Sequence, residues 1–289
     1  MFSTQTTPRR TFIRQSLGIG LGVFFLPSAL KAKSLFSFGA CDWSIGQRAS
    51  LNAFETAKAI GLDGIQVSLG TIKDNMHLRL GDMQEKYLQA SRSTNVKIAS
   101  LAIGELNEVP YKSEGQTQEW VHDSIDVANA LGCKVVLLAF FGKGDLRDDL
   151  EGKKEVIRKL KELAPKAERQ NVYLAIESWL SAEEHLDIIE KVGSSHIKVY
   201  YDVANATSMG YDIFREMRLL GTDYICEVHA KENGHLLGKG EVDFIKVRNV
   251  LEEIGYRDWI ILEGAIPNGM EMSEAYRKNL KFLHQTFNA

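Results

Sequence analysis

Four side chains of metal-binding type stand where apolar runs end: Glu177 in VYLAIES, Asp202 in IKVYYDV, His229 in ICEVHAK and Glu263 in WIILEG. A helical pattern follows each run, so the chain delivers one such residue per strand–helix unit to a common end of a parallel sheet. Any one of them alone reads as a capping or salt-bridging group. Together, unpaired carboxylates among converging apolar strands would repel one another and lose hydration, and a cation between them removes that cost. Carboxylate oxygens suit hard ions such as Mg²⁺ and Mn²⁺, and the imidazole shifts the choice toward Mn²⁺, Co²⁺ or Zn²⁺. The expected cofactor is therefore one divalent metal ion, Mn²⁺ foremost, with Mg²⁺, Co²⁺ or Zn²⁺ compatible and no organic cofactor.

The elements that must hold these residues repeat along the chain. Residues 38–45 read as a strand, and Leu51, Phe54, Ala57 and Ile60 then mark a helix face. Residues 64–69 form a second strand, followed by Met83, Tyr87 and Ala90, and residues 97–103 a third, followed by Val121, Ile125 and Ala128. Residues 134–141 are almost wholly apolar, as a strand covered on both faces must be. The next helix, about residues 152–170, presents Val156, Leu160 and Leu163, with a kink expected at Pro165. Beyond Glu177 come helical residues 182–192; beyond Asp202, a helix with Ile213, Met217 and Leu220; beyond His229, one with Phe244, Val247, Leu251 and Ile254. Ser273 is a candidate cap for a last helix with Tyr276, Leu280, Leu283 and Phe287 inward. Eight such units close a TIM barrel, in which catalytic groups sit at the C-terminal ends of the strands. A doubly wound sheet is the alternative, but no Gly-rich phosphate turn follows the first strand. The expected fold is α/β, a (β/α)8 TIM barrel forming a single domain over residues 34–289.

Residues 1–33 are a different kind of segment. Pro8-Arg9-Arg10-Thr11-Phe12-Ile13-Arg14 precedes an apolar stretch from Leu17 to Leu26, then Pro27, Ser28 and Ala29. This resembles a twin-arginine export signal, with an apolar region too short for a stable membrane span. A basic surface helix is the alternative, and Ala32, with Leu30 two positions before it, makes only a passable cleavage site. The resemblance implies an exported, periplasmic protein with no stable membrane span. The net charge of −3 offers no broad attraction for phosphate backbones, which argues against a nucleic-acid partner. Cys41, Cys133 and Cys226 are an odd, widely spaced set that reads as small buried hydrophobes and not as a disulfide framework.

The order Glu, Asp, His, Glu at the ends of strands five to eight resembles the sugar isomerase and epimerase superfamily built on a xylose-isomerase-like TIM barrel. Further matches are Cys41-Asp42-Trp43-Ser44, the Tyr201-Asp202-Val203-x-Asn205 segment, His229-Ala230-Lys231, and residues 238–244, GKGEVDF. The resemblance covers nearly all of the barrel segment and specifies substrate poorly. It implies a metal-dependent isomerase or epimerase in which the ion binds adjacent carbonyl and hydroxyl oxygens of a keto-sugar. One glutamate removes the proton between them, giving a cis-enediolate, and another returns a proton on the opposite face. Carried over, Glu177 and Glu263 are ligands and the acid/base pair, Asp202 and His229 hold the metal, and Glu183 hydrogen-bonds near the first catalytic carboxylate. Stabilisation of a helix N-terminus is the alternative role of Glu183.

Two departures bear on substrate. Family epimerases of free ketoses often carry His three residues after the strand-six Asp and Arg six after the strand-seven His; here Asn205 and His235 occupy those places. Asn205 can donate a hydrogen bond to a substrate oxygen but cannot shuttle a proton. Lys231 would point to the barrel mouth and bind a substrate oxygen or carboxylate, unless it is a solvated strand-end lysine. Trp43 and Trp179 are the preferred rings for stacking on a sugar, with Phe140 and Phe141 nearby, and Glu105 and Asn107 lie within reach of a substrate. A trinuclear zinc nuclease of the same superfamily needs more imidazoles at the mouth than His77, His229 and His235 supply. Export favours an unphosphorylated sugar or glycoside as the small-molecule partner. The same ligands would serve a 3-keto-glycoside lyase, which eliminates the aglycone from the shared intermediate. A noncatalytic sugar- or metal-binding barrel is the alternative of another class, and a homo-oligomer fits the family without a locatable interface.

Overall fold

A parallel sheet packed on both faces needs strands that are apolar on both sides, and these strands are. In the computed structural model, which describes residues 35–288, they are β1 (Ser37–Cys41), β2 (Gly64–Ser68), β3 (Lys97–Ile103), β4 (Val135–Phe140), β5 (Tyr173–Ser178), β6 (Ile197–Asp202), β7 (Ile225–Ala230) and β8 (Trp259–Leu262). They pair in chain order, all parallel, and β8 closes on β1 in the register Ser37 with Trp259 through Ala40 with Leu262. The result is the expected (β/α)8 barrel. The expected signal segment, residues 1–33, lies outside the described residues.

Alternation along each strand divides the core into two. Val136, Leu138 and Phe140 of β4 join the large cluster under the helices, whereas Val135, Leu137 and Ala139 meet Cys41, Ala175, Tyr200 and Ile261 inside the barrel. Every second residue is thus committed to the interior, which places Glu177, Asp202 and His229 there too. Gly39 and Gly64 permit the close fit of β1, β2 and β8: a Cβ on Gly64 would lie 2.5 Å from the ring of Trp259, and one on Gly39 2.6 Å from the Ile261 side chain.

The outer ring comprises α1 (Asn52–Ile60), α2 (Gly81–Thr94), α3 (Gln116–Leu131), α4 (Leu150–Gln170), α5 (Ala182–Val192), α7 (Ile213–Tyr224), α8 (Phe244–Glu253) and α9 (Met272–Phe287), with the short α6 (Val203–Ser208) following β6 directly. α5 starts at a capping box formed by Ser181 and Glu184 and stops at Gly193, whose φ of 77° ends the helix in the left-handed region. α4 continues through Pro165 as one helix, held at its start by the Asp149 side chain, which accepts Gly152 N–H. β1 ends at Cys41, four residues earlier than its apolar pattern implies, because Asp42 turns the chain: its Oδ2 accepts Ser68 N–H at 2.8 Å and Ala49 N–H at 3.0 Å. All three cysteines are free. Among the described residues no helix is long and apolar enough to cross a membrane.

Candidate metal centre and its cavity

Four strand ends bring the acids and the imidazole together. Glu177 is the fifth residue of β5, Asp202 the last of β6, His229 the fifth of β7, and Glu263 directly follows β8. One ligand atom from each can be chosen so that all four lie within 4.8 Å of one another. His229 Nδ1 is 2.8 Å from Glu177 Oε1, 3.6 Å from Glu263 Oε2 and 3.7 Å from Asp202 Oδ2. Asp202 is held by one oxygen only: Oδ1 accepts the N–H groups of Ala204 and Asn205, each at 2.8 Å, and so caps α6. Its buried Oδ2 finds no hydrogen-bond partner among the described residues. An orphaned carboxylate oxygen beside three other potential donors fits a divalent cation.

Charge in this pocket is tightly balanced. Burial pushes the Asp202 carboxyl up to about 7, against the pull of Lys231. Burial would raise Glu263 as well, but His229 and Lys231 hold it down to about 2. Burial would lower His229, yet Glu177 and Glu263 lift it to about 9. Lys231 Nζ donates to Glu263 Oε2 at 2.8 Å and lies 3.5 Å from Asp202 Oδ2, while the Trp43 indole N–H donates to Glu263 Oε1 at 2.9 Å. Both Glu263 oxygens are therefore fixed by cationic or neutral donors from neighbouring strand ends.

Above the ligands opens a cavity of about 430 Å³, lined by Trp43, Arg48, Glu105, Asn107, Phe141, Trp179, Asn205 and Lys231 among others, with Leu137 and Ala139 as an apolar patch. The xylose isomerase-like TIM barrel family matches residues 54–286. This chain belongs to that family. The L-ribulose-5-phosphate 3-epimerase UlaE of Escherichia coli strain K12 is 25% identical over 225 residues, spanning 71% of this chain and 78% of the relative. D-psicose 3-epimerase from Clostridium cellulolyticum H10, solved with D-tagatose, superposes with a TM-score of 0.74 at 16% identity, covering 88% of this chain and 100% of that one. The 3-keto-D-glucoside 4-epimerase YcjR from E. coli superposes with a TM-score of 0.71, also at 16% identity, over 86% and 99% of the two chains. The relatives so named are sugar epimerases.

Within this family fold, five of the six residues expected to contact substrate line the cavity: Trp43, Glu105, Trp179, Asn205 and Lys231. Glu183 does not. It sits in the first turn of α5, about half exposed, and pairs with Arg215 at 2.7 Å. Its alternative role at the helix N-terminus is the one its position supports, since its carboxylate pairs with Arg215 in the first turn of α5 and does not line the cavity. Trp43 spends its N–H on Glu263, so it orients a carboxylate as well as offering a ring. Trp179 has Phe141 in an edge-type contact at 5.0 Å between ring centroids and the Arg147 guanidinium 4.5 Å from its ring centroid. Asn107 accepts Phe141 N–H at 2.9 Å, which shapes the wall. Of the other mouth histidines considered, His77 contacts Tyr87 and Asp74, and His235 lines a separate cavity of about 220 Å³ with Glu232.

Sequence reasoning missed several residues. Arg48 pairs with Glu105 at 2.8 Å on the cavity wall, and Arg147 covers Trp179. Deeper, Gln66, Ser100 and Glu227 are fully buried polar residues inside the barrel, and Cys41 lies 3.3 Å from His229 Nε2. The available signal was a polar residue at an inward position of an apolar strand. A second acidic group, His122, Asp123 and Asp126 on α3, is exposed and already engaged by Lys166 and Arg79.

Proposed function

We propose that this chain is a divalent-metal-dependent epimerase of a keto-sugar. The observation that carries the reading is the buried Asp202 oxygen that has no hydrogen-bond partner among the described residues, inside a Glu–Asp–His–Glu cluster at the floor of a substrate-sized cavity. When bound, the cation would acidify the C–H beside the substrate carbonyl and offset negative charge on the enediolate. Glu177, Asp202, His229 and Glu263 would hold it. Glu177 and Glu263 lie on β5 and after β8, separated around the ring by β6 and β7, and so approach a substrate from different sides. One carboxylate takes the proton and the other returns one. Glu263 enters this cycle ionised, kept so by Lys231 and His229, with its geometry set by the Trp43 N–H. Lys231, Asn205 and the Arg48–Glu105 pair supply hydrogen bonds for hydroxyls, and Trp43, Trp179 and Phe141 supply apolar faces.

Mn²⁺ is the ion we propose, because the donor set combines three carboxylates with one imidazole. We also place the protein outside the cytoplasm, on the twin-arginine pattern of residues 1–33, and so favour an unphosphorylated substrate. A second reading has support in the cavity's reach from the ligand cluster to Arg48, Asn107 and Trp179, room in which a glycoside's aglycone would lie. In that case the enediolate-like intermediate expels the aglycone. Product analysis separates the two: a new epimer or a released aglycone. Glu177→Gln and Glu263→Gln should each lower turnover by about 10²–10⁴-fold, the usual worth of a general acid or base. Near-normal turnover in either variant, with metal still bound, would remove that residue from the proton-transfer step.

A further inference from the structure

We infer that Gln66 is a positioning residue for the metal-binding histidine: its side-chain carbonyl accepts the Nε2–H of His229 and so reserves Nδ1 for the divalent cation. The inference rests on the metal-centre reading above. Gln66 stands on β2 and His229 on β7, both fully buried inside the barrel, with Nε2 3.1 Å from Gln66 Oε1. A neutral imidazole carries one N–H. Nδ1 faces Glu177, Asp202 and Glu263, and once a cation replaces the proton on that nitrogen, the amide oxygen facing Nε2 keeps the remaining hydrogen there.

The orientation of the amide is assigned from its neighbours. Gln66 Nε2 donates to Ser100 Oγ at 2.9 Å, and the Ser100 hydroxyl donates to Glu227 Oε1 at 3.1 Å. Cys41 Sγ, 3.3 Å from Gln66 Oε1, adds a donor on the carbonyl side. Reversing the amide would turn its NH2 toward His229 Nε2 and the Cys41 thiol, and Ser100 would have to release Glu227 to donate to the amide oxygen. The four residues Glu227, Ser100, Gln66 and His229 thus form one directed chain across the barrel, every link of which is buried. Glu227 Oε1 is the terminal acceptor, and with each donor pointing toward it the hydrogen at the head of the chain lies on His229 Nε2.

The test uses the full-length chain and Mn²⁺ or Zn²⁺ alone as the probe. Affinity for each ion is measured by calorimetry in wild type, Gln66→Met, which keeps side-chain length but loses the acceptor, and Gln66→Glu, which restores one. Long-range ¹H–¹⁵N spectra of the Zn²⁺-loaded wild type, with His229 assigned by its loss in His229→Ala, report which nitrogen carries the proton. The expected results are an Nε2–H tautomer, a loss of about 10- to 100-fold in affinity for Gln66→Met, and recovery of most of that loss in Gln66→Glu. Wild-type affinity in a folded Gln66→Met, or zinc on Nε2 of His229, would overturn the inference. If Gln66→Met does not fold, the wild-type spectrum decides alone. Failure of wild type to bind either ion would instead refute the metal-centre reading itself.

Discussion

Replacing Asp202 by asparagine separates its structural role from its role toward a cation. Asn keeps Oδ1, which caps α6 through Ala204 and Asn205, and changes only Oδ2, the oxygen without a hydrogen-bond partner among the described residues. Burial raises the Asp202 carboxyl from an ordinary 3.8 to about 7 in the metal-free fold, although Lys231 Nζ is 3.5 Å away. A raised carboxyl pKa costs the fold nothing below 3.8, an increasing amount as pH rises toward 7, and a constant amount beyond. At 1.36 kcal/mol per unit, the full cost is on the order of 4 kcal/mol. Asparagine escapes it but turns an NH2 toward Lys231 and His229, which takes back about 1–3 kcal/mol. Metal-free Asp202→Asn should therefore be about 1–3 kcal/mol more stable than wild type at pH 8, an advantage that vanishes or reverses at pH 5, where the carboxyl costs only about 1.6 kcal/mol. With Mn²⁺ at a hundred times the dissociation constant, wild type should gain about 2.7 kcal/mol and the variant far less. Urea unfolding followed by tryptophan fluorescence, in EDTA and in Mn²⁺, measures both quantities. A metal-free variant less stable than wild type at pH 8, or one with the same Mn²⁺-dependent gain, would refute the reasoning.

Three further perturbations probe the surroundings. His185 is buried and neutral, donating from Nδ1 to Ser181 O and accepting from Ser178 Oγ, each at 2.9 Å, and burial pushes it down to about 4 from 6.5. Its contribution is complete above pH 6.5 and is lost as pH falls toward 4, about 3 kcal/mol in all. The acid branch of stability against pH should flatten in His185→Gln, and an unchanged branch would contradict the assignment. Trp43→Phe removes the N–H donor to Glu263, a charge-assisted bond worth about 1.5–3 kcal/mol, so kcat/KM should fall at least about tenfold in steady-state assays while bound metal persists. Gly64→Ala places a Cβ 2.5 Å from Trp259 and 3.0 Å from Lys97 O, and denaturant unfolding should show a loss of about 1–3 kcal/mol.

The barrel was legible because each unit pairs a short continuous apolar run with a following stripe at a period of about 3.6, and eight such pairs leave little room for another closure. The four ligands were legible for a related reason. A charged residue at the end of an apolar strand has to meet something, and four of them meet one another. Other residues carry no such mark. Arg48 reaches the cavity and Arg147 the Trp179 ring through loop paths that no periodicity encodes, and α6 has six residues, too few for an apolar stripe, and owes its start to Asp202. Glu183 is off the cavity because the six-residue spacing from Glu177 runs from the strand into the first turn of α5, where the carboxylate meets Arg215. Gln66 and Ser100 were readable in principle: each is a polar residue at an inward position of an apolar strand. Their meaning appears only with the partner across the barrel, His229 for one and Glu227 for the other.

The central claim, proton transfer by Glu177 and Glu263 beside a metal-bearing cluster, is tested most directly by solvent-deuterium uptake. Mn²⁺-loaded protein is incubated in D2O with a panel of keto-sugars and 3-keto-glycosides, and deuterium at the carbon next to the carbonyl is followed by NMR. The account predicts uptake by wild type with at least one substrate, none after chelation, and a loss of at least about a hundredfold in each glutamine variant. Uptake that persists in EDTA, or at wild-type rates in both variants, or that is absent with every member of the panel, would contradict it.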